Sequence, residues 1–153
     1  MSEPRIDFSF IVRDNEAACE RALAEQNYVQ AYLLMHALIE SLLRAFLHRH
    51  SSDSSFHALI RAYEGFLTEQ HLPPIFVAEQ QHLQPTFVKE LIKFNQQRNR
   101  IVHQLWRKGF SFTNMHAEPA ARAAAMMYGL LIEWLQTFQP EITALGFEYD
   151  DGV

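Results

Sequence analysis

The sequence predicts an all-α, up-and-down bundle of about five helices with a short extended N-terminal arm. Three observations predict this fold class. Apolar residues recur at the spacing of amphipathic helices in several long segments. Mostly short polar, proline-containing or glycine-containing breaks separate these segments. No pair of segments alternates convincingly enough to form paired strands.

The composition is that of one ordinary globular domain. The chain has 153 residues, of which 48% are hydrophobic and 20% charged, so we expect a single domain over 1–153 with a core over about 14–139. The net charge of −5 argues against a protein that coats polyanions broadly, but it allows a small basic site. Cys19 is the only cysteine and is expected to pack as a small residue. Without an export signal or a long apolar span, we expect a cytoplasmic protein that does not cross a membrane.

The first third of the chain predicts the arm and two helices. Loosely alternating apolar residues over 5–12 predict the extended arm. Asp14 or Asn15 can cap a first helix that runs to about residue 26. A second helix is predicted over about 28–48, where eight apolar residues form a core stripe. These are Tyr32, Met35, Leu38, Ile39, Leu42, Leu43, Phe46 and Leu47.

Prolines and polar breaks delimit the next two predicted helices. Ser55 can cap a third helix through about residue 69, after a serine-rich break. Two prolines within 71–84 predict a loop there, with at most one short helical turn. Pro85 then begins a fourth helix, because proline is favoured in the first helical turn.

A second break precedes the last predicted helix. The segment 107–118 contains a glycine and is expected to interrupt the helical pattern. The last helix is predicted from near Pro119 to about Phe138. Its alanine-rich block over 120–125 permits the close backbone approach that a buried helix or a subunit interface requires.

Polar residues interrupt the apolar side of the predicted fourth helix. At about 100° per residue, nine apolar residues over 87–106 gather on half of the helix surface, which should face the core. Asn95, Arg98 and Asn99 nevertheless fall within this arc, and His103 lies at its edge. Burying an unpaired guanidinium is strongly unfavourable, so Arg98 must meet a carboxylate, a bound anion or a wet groove between two surfaces.

The run RNRIVH, from Arg98 to His103, resembles the hallmark motif of the HEPN superfamily. That motif is an arginine and a histidine separated by four to six residues, often with a polar residue directly after the arginine, here Asn99. The segment 27–46 is similar to the HEPN pattern in which a helix carries an internal glutamate before a basic residue, here Glu40 and Arg44. The resemblance covers about 14–138.

This resemblance implies an activity and roles for five residues. Active HEPN proteins are metal-independent endoribonucleases, commonly dimers in which both motifs line a shared cleft. The resemblance implies that His103 is the general acid or base, that Arg98 stabilises phosphate charge and that Asn99 orients the phosphate or the imidazole. Glu40 and Asn95 would support them. No metal ion or cofactor is expected.

Helix geometry adds a reason for a homodimer. Residues five apart lie about 140° apart around a helix, so Arg98 and His103 of one chain diverge, and a two-fold partner could bring both pairs onto one phosphate. The resemblance also suggests a toxin–antitoxin or antiphage setting with an antitoxin or other protein partner. Leu105 occupies the place of the tyrosine that carries nucleotide modification in one toxin branch, which speaks against that mode of regulation.

Other residues of the fourth helix are candidates for RNA binding. Arg100, Arg107 and Lys108 could hold phosphates if they form a shared patch, although each alone is as readily a solvated surface charge. Trp106 could stack on a base, but core packing is the more common role for such a residue.

Other interpretations stay open. A catalytically silent HEPN-like module could bind a partner protein, a nucleotide or a nucleic acid through the same groove. Arg98 could instead pair with Glu40 in the core. His36 and Glu40, four apart, could join Glu133 in a metal site, although no repeated Glu-x-x-His pattern supports one. Phosphate-binding glycine loops, Cys-x-x-Cys pairs and nucleophile elbows do not occur.

Overall fold

Five α-helices account for nearly all of the chain that the structure describes. The computed structural model describes residues 8–47, 55–69 and 74–138, and within these ranges it contains no strand. The prediction of an all-α bundle of five helices is therefore confirmed. The helices are α1 (Phe8–Ala24), α2 (Tyr28–Phe46), α3 (Phe56–Glu69), α4 (Pro74–Lys108) and α5 (Phe110–Phe138).

Helix α2 is the centre of the bundle. It packs against α1, α3, α4 and α5, whereas each of the other helices contacts only some of its neighbours. Eleven of its 19 residues are buried, and at 100° per residue they occupy one continuous half of the helix surface. Most residues of the other half are partly buried. The predicted core stripe is confirmed from Tyr32 to Phe46, and Leu47 packs against it partly buried.

Polar side chains cap the first turns of α2 and α3. Asn27 caps α2, because its side chain accepts a hydrogen bond from the Gln30 amide at 3.2 Å. Ser55 caps α3 in the same way, since its Oγ accepts from the Ala58 amide at 3.1 Å. Asn114 of α5 fastens the α1–α2 turn, with its Nδ2 donating to the Gln26 carbonyl at 2.8 Å.

The prediction of an extended arm is wrong for residues 8–12, which belong to α1; residues 5–7 lie outside the described part. Val12, Glu16 and Cys19 are all buried, so the buried residues near the N-terminus follow helical spacing instead of alternation. Glu16 accepts a hydrogen bond from the Tyr128 hydroxyl at 2.8 Å. Burial raises the pKa of Cys19 to about 12, so its thiol stays protonated and packs as predicted.

The loop predicted over 71–84 is wrong from residue 74 onward, because α4 already begins at Pro74; residues 71–73 lie outside the described part. The break predicted within 107–118 occurs, but it is confined to Gly109, because α5 begins at Phe110. Pro74 occupies the first helical position, where its missing N–H costs nothing. Pro119 lies inside α5 and deprives the Met115 carbonyl of a helical donor. Both residues are exposed, so water can satisfy that carbonyl and the helix continues.

A single residue separates the two longest helices. Gly109 has a φ of +85°, and its amide donates to the Leu105 carbonyl at 3.1 Å, which is the arrangement of a helix-terminating glycine. The Gly109 carbonyl then accepts from both the amide and the hydroxyl of Thr113. One glycine therefore ends α4 and starts α5.

The alanine-rich block of α5 lies mostly in the core. Ala120, Ala121 and Ala124 are buried, so most of the alanine-rich block faces the core. None of the described helices has both the length and the apolar content required of a membrane span.

We predict that Gly109→Ala destabilises the protein by about 1 kcal/mol, because an L side chain is strained at this positive φ. Gly129→Ala is the matched control, since Gly129 lies inside α5 with open space around an added Cβ. It should stabilise the protein by roughly 0.5–1 kcal/mol. Urea unfolding measures both variants, and equal effects at the two positions would contradict the role given to Gly109.

Candidate functional site

Arg98 lies at the rim of a cavity between α2, the start of α3 and α4, which we call the α2–α3–α4 cavity. The cavity has a volume of about 480 Å³. Its lining includes His36 and Glu40 from α2, Phe56 from α3, and Asn95 and Arg98 from α4. Of the three environments considered for Arg98, the structure shows a groove, and the guanidinium is exposed instead of enclosed in the core.

Glu40 is not the partner of Arg98. Its Oε1 accepts from Arg44 Nη2 at 3.0 Å, one turn along α2. Among the described residues, no carboxylate lies at ion-pair distance from Arg98. The alternative of a core ion pair between Arg98 and Glu40 is therefore wrong, because a local partner on the same helix takes the carboxylate.

Asn95 supports His36, which the sequence predicts only as a candidate metal ligand. His36 Nε2 lies 3.1 Å from Asn95 Oδ1, and because that oxygen can only accept, the imidazole carries its proton on Nε2. The ring stacks on Phe56 at 4.4 Å and on Phe94 at 5.2 Å between centroids. In the part of the chain with described side chains, no group of three potential metal ligands occurs.

The surroundings of His36 hold the pKa of its imidazole below the ordinary value. Burial lowers its pKa most, and the positive charge of Arg98 lowers it further, while the hydrogen bond to Asn95 and the charge of Glu40 oppose these effects. The sequence carried a signal for this position, since His36 lies one turn after Tyr32 within the core stripe of α2. A histidine there must be packed and hydrogen-bonded.

His103 lies on another side of α4. It lines a second cleft of about 420 Å³ together with Arg100, Gln104, Arg107 and Lys108. Arg98 and His103 of one chain thus lie in separate clefts, in line with the angular separation expected from helix geometry. Asn99 is exposed beside Arg98.

The three candidate phosphate contacts form a shared patch. Arg100, Arg107 and Lys108 line the cleft that contains His103. Between residues 91 and 117 the sequence has five lysines and arginines and no aspartate or glutamate. The net charge of −5 therefore conceals a locally basic surface, which we call the basic cluster (Arg100, His103, Arg107 and Lys108).

The neighbouring helices cover only part of the apolar arc of α4. Val88, Leu91, Phe94 and Ile101 are buried as predicted, but Val102 is 40% exposed and Trp106 is 69% exposed. The expectation that Trp106 packs in the core is therefore wrong. Its indole lies on the surface, and the Arg107 guanidinium carbon is 5.3 Å from the ring centroid. An aromatic face is thus available next to the basic cluster.

No protein-family model, curated protein or solved structure matches this chain. The resemblance to the HEPN superfamily accordingly rests on the residues of the chain itself.

We predict that the His36 imidazole makes the fold sensitive to mild acid. Its folded pKa lies below the ordinary value of 6.5, so below that value the unfolded state binds more protons than the folded state. The free energy of unfolding should therefore fall as the pH falls from about 7 to about 5.5, and His36→Leu should flatten this slope.

Urea unfolding over this pH range tests the prediction. The control is His57→Gln, because His57 is an exposed histidine at the start of α3, and this variant should keep the slope of the unsubstituted protein. A full slope in His36→Leu would show that the acid sensitivity arises elsewhere.

Proposed function

We propose that the protein is a HEPN-like, metal-independent endoribonuclease that acts as a homodimer. One observation carries the proposal: Arg98, Asn99 and His103 are all exposed on α4, and the basic cluster adjoins them on a stretch of sequence without carboxylates. A phosphodiester needs such a surface, where positive charge and a titratable imidazole are accessible together.

The residues suit cleavage by the ribose 2′-hydroxyl. The imidazole of His103 takes the hydroxyl proton as the O2′–P bond forms, and a second imidazole protonates O5′ as the P–O5′ bond breaks. Arg98 stabilises the negative charge that develops on the phosphorane oxygens. The products are a 2′,3′-cyclic phosphate and a 5′-hydroxyl.

A second copy of the chain completes this site. Within one protomer Arg98 and His103 line separate clefts, whereas a two-fold axis along α4 would bring the histidines of both chains to one phosphate. The exposed apolar residues Val102 and Trp106 lie along the same helix and favour such a pairing. Trp106 at the edge of the seam would stack on an RNA base, and the basic cluster would hold flanking phosphates.

The biological setting follows from the resemblance alone. A toxin–antitoxin or antiphage system in the cytoplasm, with an antitoxin or other protein partner, is the setting that we propose. The second candidate function is a silent HEPN-like module that binds a partner, and the acidic net charge of −5 favours it, because an overall negative protein repels RNA outside its basic cluster.

We predict that the purified protein cleaves single-stranded or structured RNA in the presence of a chelator, and that His103→Ala lowers the rate by about 10²–10⁴-fold. His116→Ala is the control, since His116 is an exposed histidine of α5 outside the motif. Gel analysis of end-labelled RNA measures the rates and the cyclic-phosphate ends. Equal cutting by both variants would identify a contaminant, and RNA binding without cutting would favour the silent module.

We predict that Val102→Glu separates the dimer and abolishes cleavage together, because a buried unpaired carboxylate is costly at an apolar seam. Leu130→Glu on α5 is matched to it, since the two side chains are 40% and 42% exposed in one chain. Sedimentation measures the assembly of each variant. A Val102→Glu monomer that retains full activity would overturn the shared-cleft mechanism.

A further inference from the structure

The α2–α3–α4 cavity has the properties of a small-molecule site. Its volume of about 480 Å³ falls in the range of roughly 300–1,000 Å³ that is typical of ligand pockets. It lies where three helices meet, and its walls combine apolar with polar side chains. These properties do not depend on whether the protein cleaves RNA.

The charge of the cavity favours a ligand with one negative charge. Arg98 contributes a permanent positive charge, and no described carboxylate lies at ion-pair distance from it. The carboxylate of Glu40 pairs with Arg44 at 3.0 Å, and burial lowers the pKa of the His36 imidazole. The remaining histidine of the lining, His57, is exposed at the start of α3. Among the lining residues Arg98 is therefore the permanent cation, and the lining carboxylate, Glu40, is paired with Arg44 instead of Arg98.

Two donors on α4 are placed to hold a carboxylate. Asn95 and Arg98 are one helical turn apart and both line the cavity. His36 binds the Oδ1 of Asn95 and so fixes the orientation of the amide, while no described group accepts from its Nδ2. The planar guanidinium of Arg98 matches a carboxylate with two parallel hydrogen bonds. A phosphate dianion would need a second positive charge that the described lining lacks.

The rest of the cavity suits an apolar body. Leu33 and Ala37 of α2 and the ring of Phe56 form part of the wall. The ring of Phe56 stacks on the His36 imidazole at 4.4 Å between centroids. A ligand that places its carboxylate at Arg98 can therefore bury an aliphatic or aromatic group against α2.

We propose that the α2–α3–α4 cavity binds a small organic monocarboxylate, whose carboxylate pairs with Arg98 and the Asn95 amide and whose apolar body contacts Leu33, Ala37 and Phe56. The site is separate from the basic cluster, and Arg98 is the residue that it shares with the proposed ribonuclease cleft. His36 is a positioning residue here, because it acts through Asn95.

Titration of the ¹⁵N-labelled protein with benzoate tests this proposal, with benzamide as the uncharged ligand of the same shape. Benzoate should shift the Asn95 side-chain amide and the Phe56 and His57 backbone amides, and benzamide should bind at least about tenfold more weakly. Absence of these shifts at roughly 20 mM benzoate, above the millimolar Kd expected of so small a ligand, would overturn the proposal.

Two variants locate the site. Ala37→Phe fills the cavity and should abolish the benzoate shifts, whereas Ala123→Phe places the same side chain on the exposed face of α5 and should bind normally. Arg98→Gln changes an exposed residue without filling the cavity and should weaken benzoate about tenfold. Unchanged binding in Arg98→Gln would overturn the proposal even if Ala37→Phe does not fold. Because no RNA is present, a failure of the ribonuclease proposal leaves these outcomes unchanged.

Discussion

The burial of one continuous half of α2 is the constraint on which the rest of the structure depends. Helix α2 packs against α1, α3, α4 and α5, so its buried surface helps to position all four helices. Hydrophobic burial of this kind is the main favourable contribution to folding. Two polar residues of α2, the buried His36 and the half-buried Glu40, line the α2–α3–α4 cavity.

Polar contacts between α2 and α4 then set the register of the two helices. The Tyr32 hydroxyl donates to the Phe94 carbonyl, and His36 donates to Asn95 one residue further along α4. Apolar packing alone tolerates sliding, but buried hydrogen bonds do not, because an unpaired donor is costly. These contacts fix the helical turn that precedes Arg98. The position of the exposed guanidinium is therefore determined from the core outward.

The sequence predicted the elements that depend on local chemistry. It did not predict features that depend on how the helices pack against one another. The extent of α2 was predicted from helical periodicity and the start of α3 from the cap at Ser55, and both signals are local. Pro119 suggested a helix start, but it lies inside α5. It removes the helical donor of the Met115 carbonyl, and water can replace that donor because the carbonyl faces solvent. Trp106 misled it because periodicity defines an apolar face but not how much of that face a neighbour covers. The separation of Arg98 from His103 needed only helix geometry, whereas the bond between His36 and Asn95 needed the packing of two helices.

The one-residue connection at Gly109 has a mechanical consequence. A link of this length between two helices of 35 and 29 residues contains no slack, and the hydrogen bonds of Gly109 to Leu105 and Thr113 occupy both of its backbone groups. The basic cluster ends directly before this corner, at Lys108. Any change in the tilt of α5 would therefore act directly on the end of α4 that carries the basic cluster.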